Sequence, residues 1–204
     1  MITALTVEAL ALKRGERLLL QDFGFAVGAG EAVALTGPNG AGKTSLLRAI
    51  AGFIAPLAGW ISFEGVDGAL EPAEARCTDT HLIGHQDGLK GGRTARDELD
   101  FAVEWTGGDA TGAEAAAETL GLTPLLDLAV RHLSAGQRRR LALARLIASP
   151  RTLWLLDEPL APLDAKNRAR FGELLAAHLA SGGLALIAAH DPLPVAARTL
   201  EIGA

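Results

Sequence analysis

Eight residues, Gly37-Pro38-Asn39-Gly40-Ala41-Gly42-Lys43-Thr44, constrain this chain more than any other stretch. They fit G-x-x-x-x-G-K-[ST], a phosphate-binding loop. The flanks suit that reading. Residues 31–36 (EAVALT) form a short apolar run expected to be a buried strand, and residues 45–51 (SLLRAIA), from Ser45 on, read as the helix that follows. A strand, a glycine turn and a helix N-terminus make an anion cradle, because backbone N–H groups and the helix dipole converge there. Gly37, Gly40 and Gly42 let the backbone approach phosphate closely. Lys43 is expected to reach the β/γ-phosphates, and the Thr44 hydroxyl to hold Mg²⁺.

A second motif follows in the right order. Leu153-Trp154-Leu155-Leu156 is an apolar run that ends in Asp157-Glu158. Adjacent carboxylates at the end of a strand suit hydrolysis of Mg·ATP. Asp157 is expected to hold Mg²⁺, through water, and Glu158 to polarise the attacking water as general base. A third stretch is Leu133-Ser134-Ala135-Gly136-Gln137. Ser134 and Gln137 have capping-box spacing, so a helix should start here, and its N-terminus is a further candidate anion site.

At this third stretch the sequence resembles the ABC ATPase family, whose signature is L-S-G-G-Q; Ala135 stands in place of one glycine. The resemblance covers nearly the whole chain and implies an α/β P-loop NTPase with a RecA-like core, an antiparallel β subdomain and an inserted helical subdomain. It implies a homodimer that sandwiches ATP, in which Ser134, Ala135, Gly136 and Gln137 cover the nucleotide held by the other copy. Gln86 matches the family glutamine that contacts Mg²⁺ and the water, and that senses the membrane partner. Asp164 falls in the family's D-loop, where Pro162 is unusual. His190 matches the switch histidine that hydrogen-bonds the γ-phosphate and orients Glu158. Most members place an aromatic residue on adenine some two dozen positions before the loop. This chain has no tyrosine, and Lys13-Arg14-Gly15 stands there. The expectation is that the Arg14 guanidinium stacks on the adenine ring.

Finer marks point within the family. Residues 84–90 (GHQDGLK), the run LSAGQRRR continuing into LALARL, and TLWLLDEP are similar to the ATP-binding subunits of the haem exporter used in cytochrome c maturation. Asp97-Glu98 departs from the Glu-Asn usual there. The resemblance implies a peripheral subunit on the cytoplasmic face of the bacterial inner membrane, docked on integral membrane subunits near Gln86. Other members serve lipid, drug or peptide exporters, or work as soluble non-transport ATPases. The interval between phosphate loop and signature leaves no room for a long coiled coil, which argues against the repair ATPases.

The bulk properties agree. A chain of 204 residues can bury a sizeable core as one domain, with residues 1–86 and 151–204 as catalytic core plus β subdomain and 87–150 as the helical insertion. The net charge of −5 argues against a nucleic-acid binder with a broad basic face. Cys77 is the one cysteine, which rules out an internal disulfide. No apolar run is long enough to span a membrane, and the N-terminal stretch lacks the marks of a signal peptide. Further expectations are a hairpin from residues 5–10 and 17–20, a capping box at Thr111 and Glu114, and a helix stop at Gly121. His81 and His85 are expected to be structural, and Arg138, Arg139 and Arg140 to line the solvated or nucleotide-facing side of the signature helix.

Overall fold

The computed structural model describes residues 1–107 and 110–203. Alternating apolar residues near the N-terminus form a long hairpin, β1 (Ile2–Arg14) and β2 (Arg17–Gly28). Leu5, Val7, Leu10 and Leu12 fill its inner face. The strands reach well beyond the expected 5–10 and 17–20. Breaks in the antiparallel register between Val7 and Lys13, with Ala9 at φ 46° and Asp22 at φ 48°, let them run on as a bulged pair. β4 (Ala58–Gly65) pairs with β1, and β5 (Gly68–Leu70) with β4, giving an antiparallel sheet in the order β2-β1-β4-β5.

The second sheet is parallel, in the order β6-β7-β8-β3-β9. Its strands are β3 (Ala32–Thr36), β6 (Thr80–Ile83), β7 (Leu153–Asp157), β8 (Leu184–Ala188) and β9 (Arg198–Glu201). All residues of β7 and β8 are buried, as continuous apolar runs must be when both faces of a sheet are covered. Trp154 on β7 stacks flat on His178, with ring centroids 3.8 Å apart. Gly183 leaves the room for that imidazole, since a β-carbon there would fall within van der Waals radius of the ring.

The helices are α1 (Lys43–Ile50), α2 (Pro72–Asp79), α3 (Ala95–Thr106), α4 (Ala110–Thr119), α5 (Ala135–Ala148) and α6 (Ala165–Ala180). By packing, the chain divides into two units. The first holds Met1–Gly84, Arg151–Glu158 and Gly172–Ala204, with both sheets; the second holds His85–Pro150 and Pro159–Phe171.

One local expectation is corrected. Thr111 lies inside α4, so it is not that helix's cap. The capping box of the region belongs to α3 instead, where Thr94 accepts from the Asp97 amide at 3.1 Å and Asp97 accepts from the Thr94 amide at 3.0 Å. Asp97 is therefore the N3 residue of a helix start, and its hydrogen bonds from Thr94 hold its carboxyl below the ordinary value. Gly121 ends α4 as expected. Its φ is 62°, and the Leu122 amide reaches back to the Ala117 carbonyl at 2.7 Å, the Schellman pattern.

Candidate active site

In the first unit, three neighbouring parallel strands, β7, β8 and β3, end at one edge of the sheet. Each delivers chemistry there. The carboxyl end of a parallel sheet is where open α/β folds bind ligands. From β3 the chain turns through the glycine loop into α1. Gly37 has φ 130°, and a β-carbon on it would stand 2.2 Å from the Ile202 carbonyl oxygen. Its glycine is thus demanded by the strand next door as much as by phosphate. Gly40 and Gly42 also take positive φ, 80° and 118°. Pro38, Asn39 and Gly40 are exposed, while Ala41 is buried at the helix start. Gly42 is the N-cap and supplies no side chain, and the first intrahelical bond runs from the Leu46 amide to the Gly42 carbonyl. The amides of Lys43, Thr44 and Ser45 therefore have no acceptor within the helix, which is the donor set an anion needs.

Lys43 is 8% exposed, and its ammonium donates to the Gly37 carbonyl at 2.6 Å and the Pro38 carbonyl at 3.2 Å. The loop thus holds its own cation over its mouth. Thr44 donates its hydroxyl to Asp157 Oδ2 at 2.8 Å, across 113 residues of sequence. Asp157 is 4% exposed. A buried carboxylate beside a hydroxyl is a set of hard oxygen donors. Such a pair fits Mg²⁺, which binds through one or two protein oxygens and takes phosphate and water for the rest.

Glu158 follows Asp157 with φ 52°, a left-handed conformation that costs an L-residue energy. Its amide donates to the Ala188 carbonyl at 2.9 Å, which ties the chain leaving β7 to the end of β8. His190, just past β8, places Nε2 3.4 Å from Glu158 Oε1. The structure thus brings together Lys43, Thr44, Asp157, Glu158 and His190 on one unit.

Arg14 is exposed at the hairpin tip, opposite Arg17 in the register. Arg17 was not singled out from the sequence. Its Nη1 stands 4.0 Å from where a β-carbon on Gly40 would be, so it is the hairpin arginine beside the phosphate loop. The only sequence signal was a second arginine across a two-residue turn.

The remaining candidates belong to the second unit. Ser134 caps α5 with a full capping box: its amide donates to Gln137 Oε1 at 2.7 Å, and the Gln137 amide donates to Ser134 Oγ at 3.2 Å. Ser134 and Ala135 are exposed, and Gly136 and Gln137 half-buried. A β-carbon on Gly136 would stand 2.8 Å from the Pro162 carbonyl oxygen, so this signature position needs glycine, whereas the exposed position of Ala135 accepts a methyl. Asp164 caps α6, accepting from the Asn167 amide at 2.8 Å. Gln86 is exposed.

The consecutive arginines Arg138, Arg139 and Arg140 of α5 correct the expectation of a solvated or nucleotide-facing row. Arg138 donates to the Leu133 carbonyl at 2.6 Å, and Arg140 to the Leu120 and Gly121 carbonyls at 2.6 and 3.0 Å, where α4 ends. Arg139 is buried. Arg140 thus binds carbonyls left without an intrahelical partner at the C-terminus of α4. His81 is buried in β6 and His85 is exposed.

The fold and this cluster define a P-loop ATPase. Residues 20–161 match the ABC transporter family. The chain is 46% identical over 200 residues, covering 98% of both chains, to a protein of Rhodopseudomonas palustris strain BisB5 named cytochrome c biogenesis ATP-binding export protein CcmA. It is 48% identical over 199 residues, again covering 98% of both, to the protein of that name from strain BisB18. Among solved structures it is similar to an ATP-binding subunit of an ABC transporter, at TM-score 0.80 and 27% identity over 92% of this chain and 80% of that one. The chain belongs to the ABC transporter family as an ATP-binding member.

Proposed function

We propose that this chain hydrolyses ATP as the peripheral subunit of an exporter that serves cytochrome c biogenesis, with haem as its cargo. The observation that carries the reading is likeness over 98% of both chains to proteins named for that export. Among the described residues no helix is long and apolar enough to cross a membrane. Likeness to named export proteins supports assigning membrane passage to partner subunits, with this chain at their cytoplasmic face.

The residues divide the work. Amides of the glycine loop and α1 bind the phosphates, and Lys43 exchanges its loop carbonyls for β/γ oxygens. Thr44 and Asp157 would hold Mg²⁺, with Gln86 as a further oxygen donor, and the ion would supply charge neutralisation at the phosphate oxygens. Glu158 takes the proton of the attacking water. His190 fixes the Glu158 carboxylate and donates to the γ-phosphate. Arg14 stacks on adenine. Two copies close head to tail over two ATP molecules, so that Ser134, Ala135, Gly136 and Gln137 of each complete the site of the other. Hydrolysis lets them part, and that cycle drives the membrane subunits.

The test is purification from membranes through a tag on this chain, as wild type and as Lys43→Ala. Integral membrane subunits should co-purify with both, and only the wild type should turn over ATP. A wild-type chain that leaves the membrane fraction alone, or a Lys43→Ala chain with native turnover, would refute the reading.

A further inference from the structure

Two arginines of the helix that starts at the signature close on a single loop of the same unit. Arg139 is 3% exposed. Its Nη1 lies 3.3 Å from Asp87 Oδ1, and its Nη2 donates to the His85 carbonyl at 3.2 Å. Two turns further along α5, Arg145 donates to the Gly88 carbonyl at 3.4 Å. Burial lowers the pKa of the Arg145 guanidinium, opposed by the nearby charges of Glu98 and Asp87. The gripped atoms belong to His85, Asp87 and Gly88. They bracket Gln86, whose own side chain is exposed.

A buried ion pair is a poor way to gain stability, because desolvating both charges offsets most of their attraction. What a guanidinium fork supplies is direction: it fixes two acceptors in one plane, which an apolar side chain cannot do. Arg138 donates to the Leu133 carbonyl just before α5 and Arg140 to carbonyls at the end of α4, both structural tasks. Arg139 instead neutralises a loop carboxylate and holds a loop carbonyl, one on each side of Gln86.

We propose that Arg139 and Asp87, assisted by Arg145, clamp the loop 85–88 to the signature helix, so that Gln86 is a rigid extension of the helix that contacts the second copy's nucleotide. Arg139 and Asp87 are positioning residues: closure of the signature over ATP carries Gln86 with it. The inference rests on the reading above that Gln86 serves the catalytic ion and water.

The experiment compares Asp87→Asn, Arg139→Gln, Arg139→Lys, their Asp87→Asn/Arg139→Gln double variant and Gln86→Ala in the full chain. Readouts are kcat, KM for Mg·ATP and melting midpoint. Asp87→Asn keeps the side-chain shape and removes the charge. It should lower kcat about tenfold while KM stays within about twofold, since the phosphate loop is untouched. Arg139→Lys should not rescue, because an ammonium is a single point of charge on a flexible stem and lacks the spaced, planar donor pair of the guanidinium. The double variant should be no slower than the slower single one, as expected of a coupled pair. If Arg139→Gln fails to fold, Asp87→Asn against Gln86→Ala decides alone. Native kcat in Asp87→Asn with a slow Gln86→Ala overturns the clamp and leaves the role of Gln86 standing. Native kcat in Gln86→Ala overturns the reading beneath it, and the clamp's purpose with it. A tenfold loss that appears in KM rather than kcat also overturns the proposal.

Discussion

Glu158 stands where stability and catalysis pull apart. Its φ of 52° puts an L-residue in the left-handed region, at a cost of about 1–2 kcal/mol. Glycine adopts that conformation freely but gives up roughly 0.5–1 kcal/mol more backbone entropy on folding. Glu158→Gly should therefore be more stable than Glu158→Gln by roughly 0.5–1 kcal/mol. Both variants lose the carboxylate charge beside His190 and both keep the amide bond to Ala188, so the backbone dominates their difference. At about 2.1 cal/mol/K per residue, 204 residues unfold with an entropy near 0.4 kcal/mol/K, and the glycine variant should melt about 1–2 °C above the glutamine variant. Turnover should move the other way, falling by roughly 10²–10⁴ in both variants, the range of a lost general base. Paired urea and thermal melts measure the first effect and steady-state phosphate release the second. A glycine variant no more stable than the glutamine variant would mean the turn is not strained. A glutamine variant near native turnover would remove Glu158 as the base.

Gly37→Ala should destabilise the fold by about 2–4 kcal/mol, read as a lowered urea midpoint, because the new methyl meets the Ile202 carbonyl at a positive φ. His178 is held below the ordinary histidine pKa, chiefly by burial against its hydrogen bonds to the Leu184 and Thr152 backbones. The unfolded chain then binds the proton more readily. The stability from neutral His178 is complete above about pH 6.5 and is lost as pH falls from there through the lowered folded value. His178→Phe should flatten that decline in urea midpoint between pH 7.5 and 5.5. Arg14→Ala should raise KM for ATP if its guanidinium stacks on adenine, and unchanged KM would end that idea. Arg17→Ala, beside Gly40, should raise KM with kcat held within about twofold.

The catalytic cluster was legible because it is written in local runs. A glycine loop after an apolar strand and a carboxylate pair at the end of TLWLL each carry strand, turn and chemistry in consecutive residues. The parallel order β7-β8-β3 then brings His190 to the same edge. What the sequence hid is decided by partners far along the chain. Gly37 answers to Ile202 and Gly136 to Pro162. The arginine row of α5 looked like a solvated face because the carbonyl partners of Arg139 and Arg140 lie about twenty to fifty positions away. α2 was missed because only Ala75 is buried, leaving no apolar period. Its Pro72 after the capping Glu71 was a readable start signal, since the Glu74 amide donates to that carboxylate at 2.9 Å. Asp97 read as one half of an unusual acidic pair, but it is the N3 residue of a capping box.

The most direct measurement is a haem stain of membrane proteins from a strain lacking this gene, complemented with the wild type or with Lys43→Ala. The account predicts that covalent cytochrome c disappears in the deletion and returns only with the wild type. Cytochrome c that persists in the deletion strain, or that Lys43→Ala restores, would contradict an ATP-driven role in cytochrome c biogenesis.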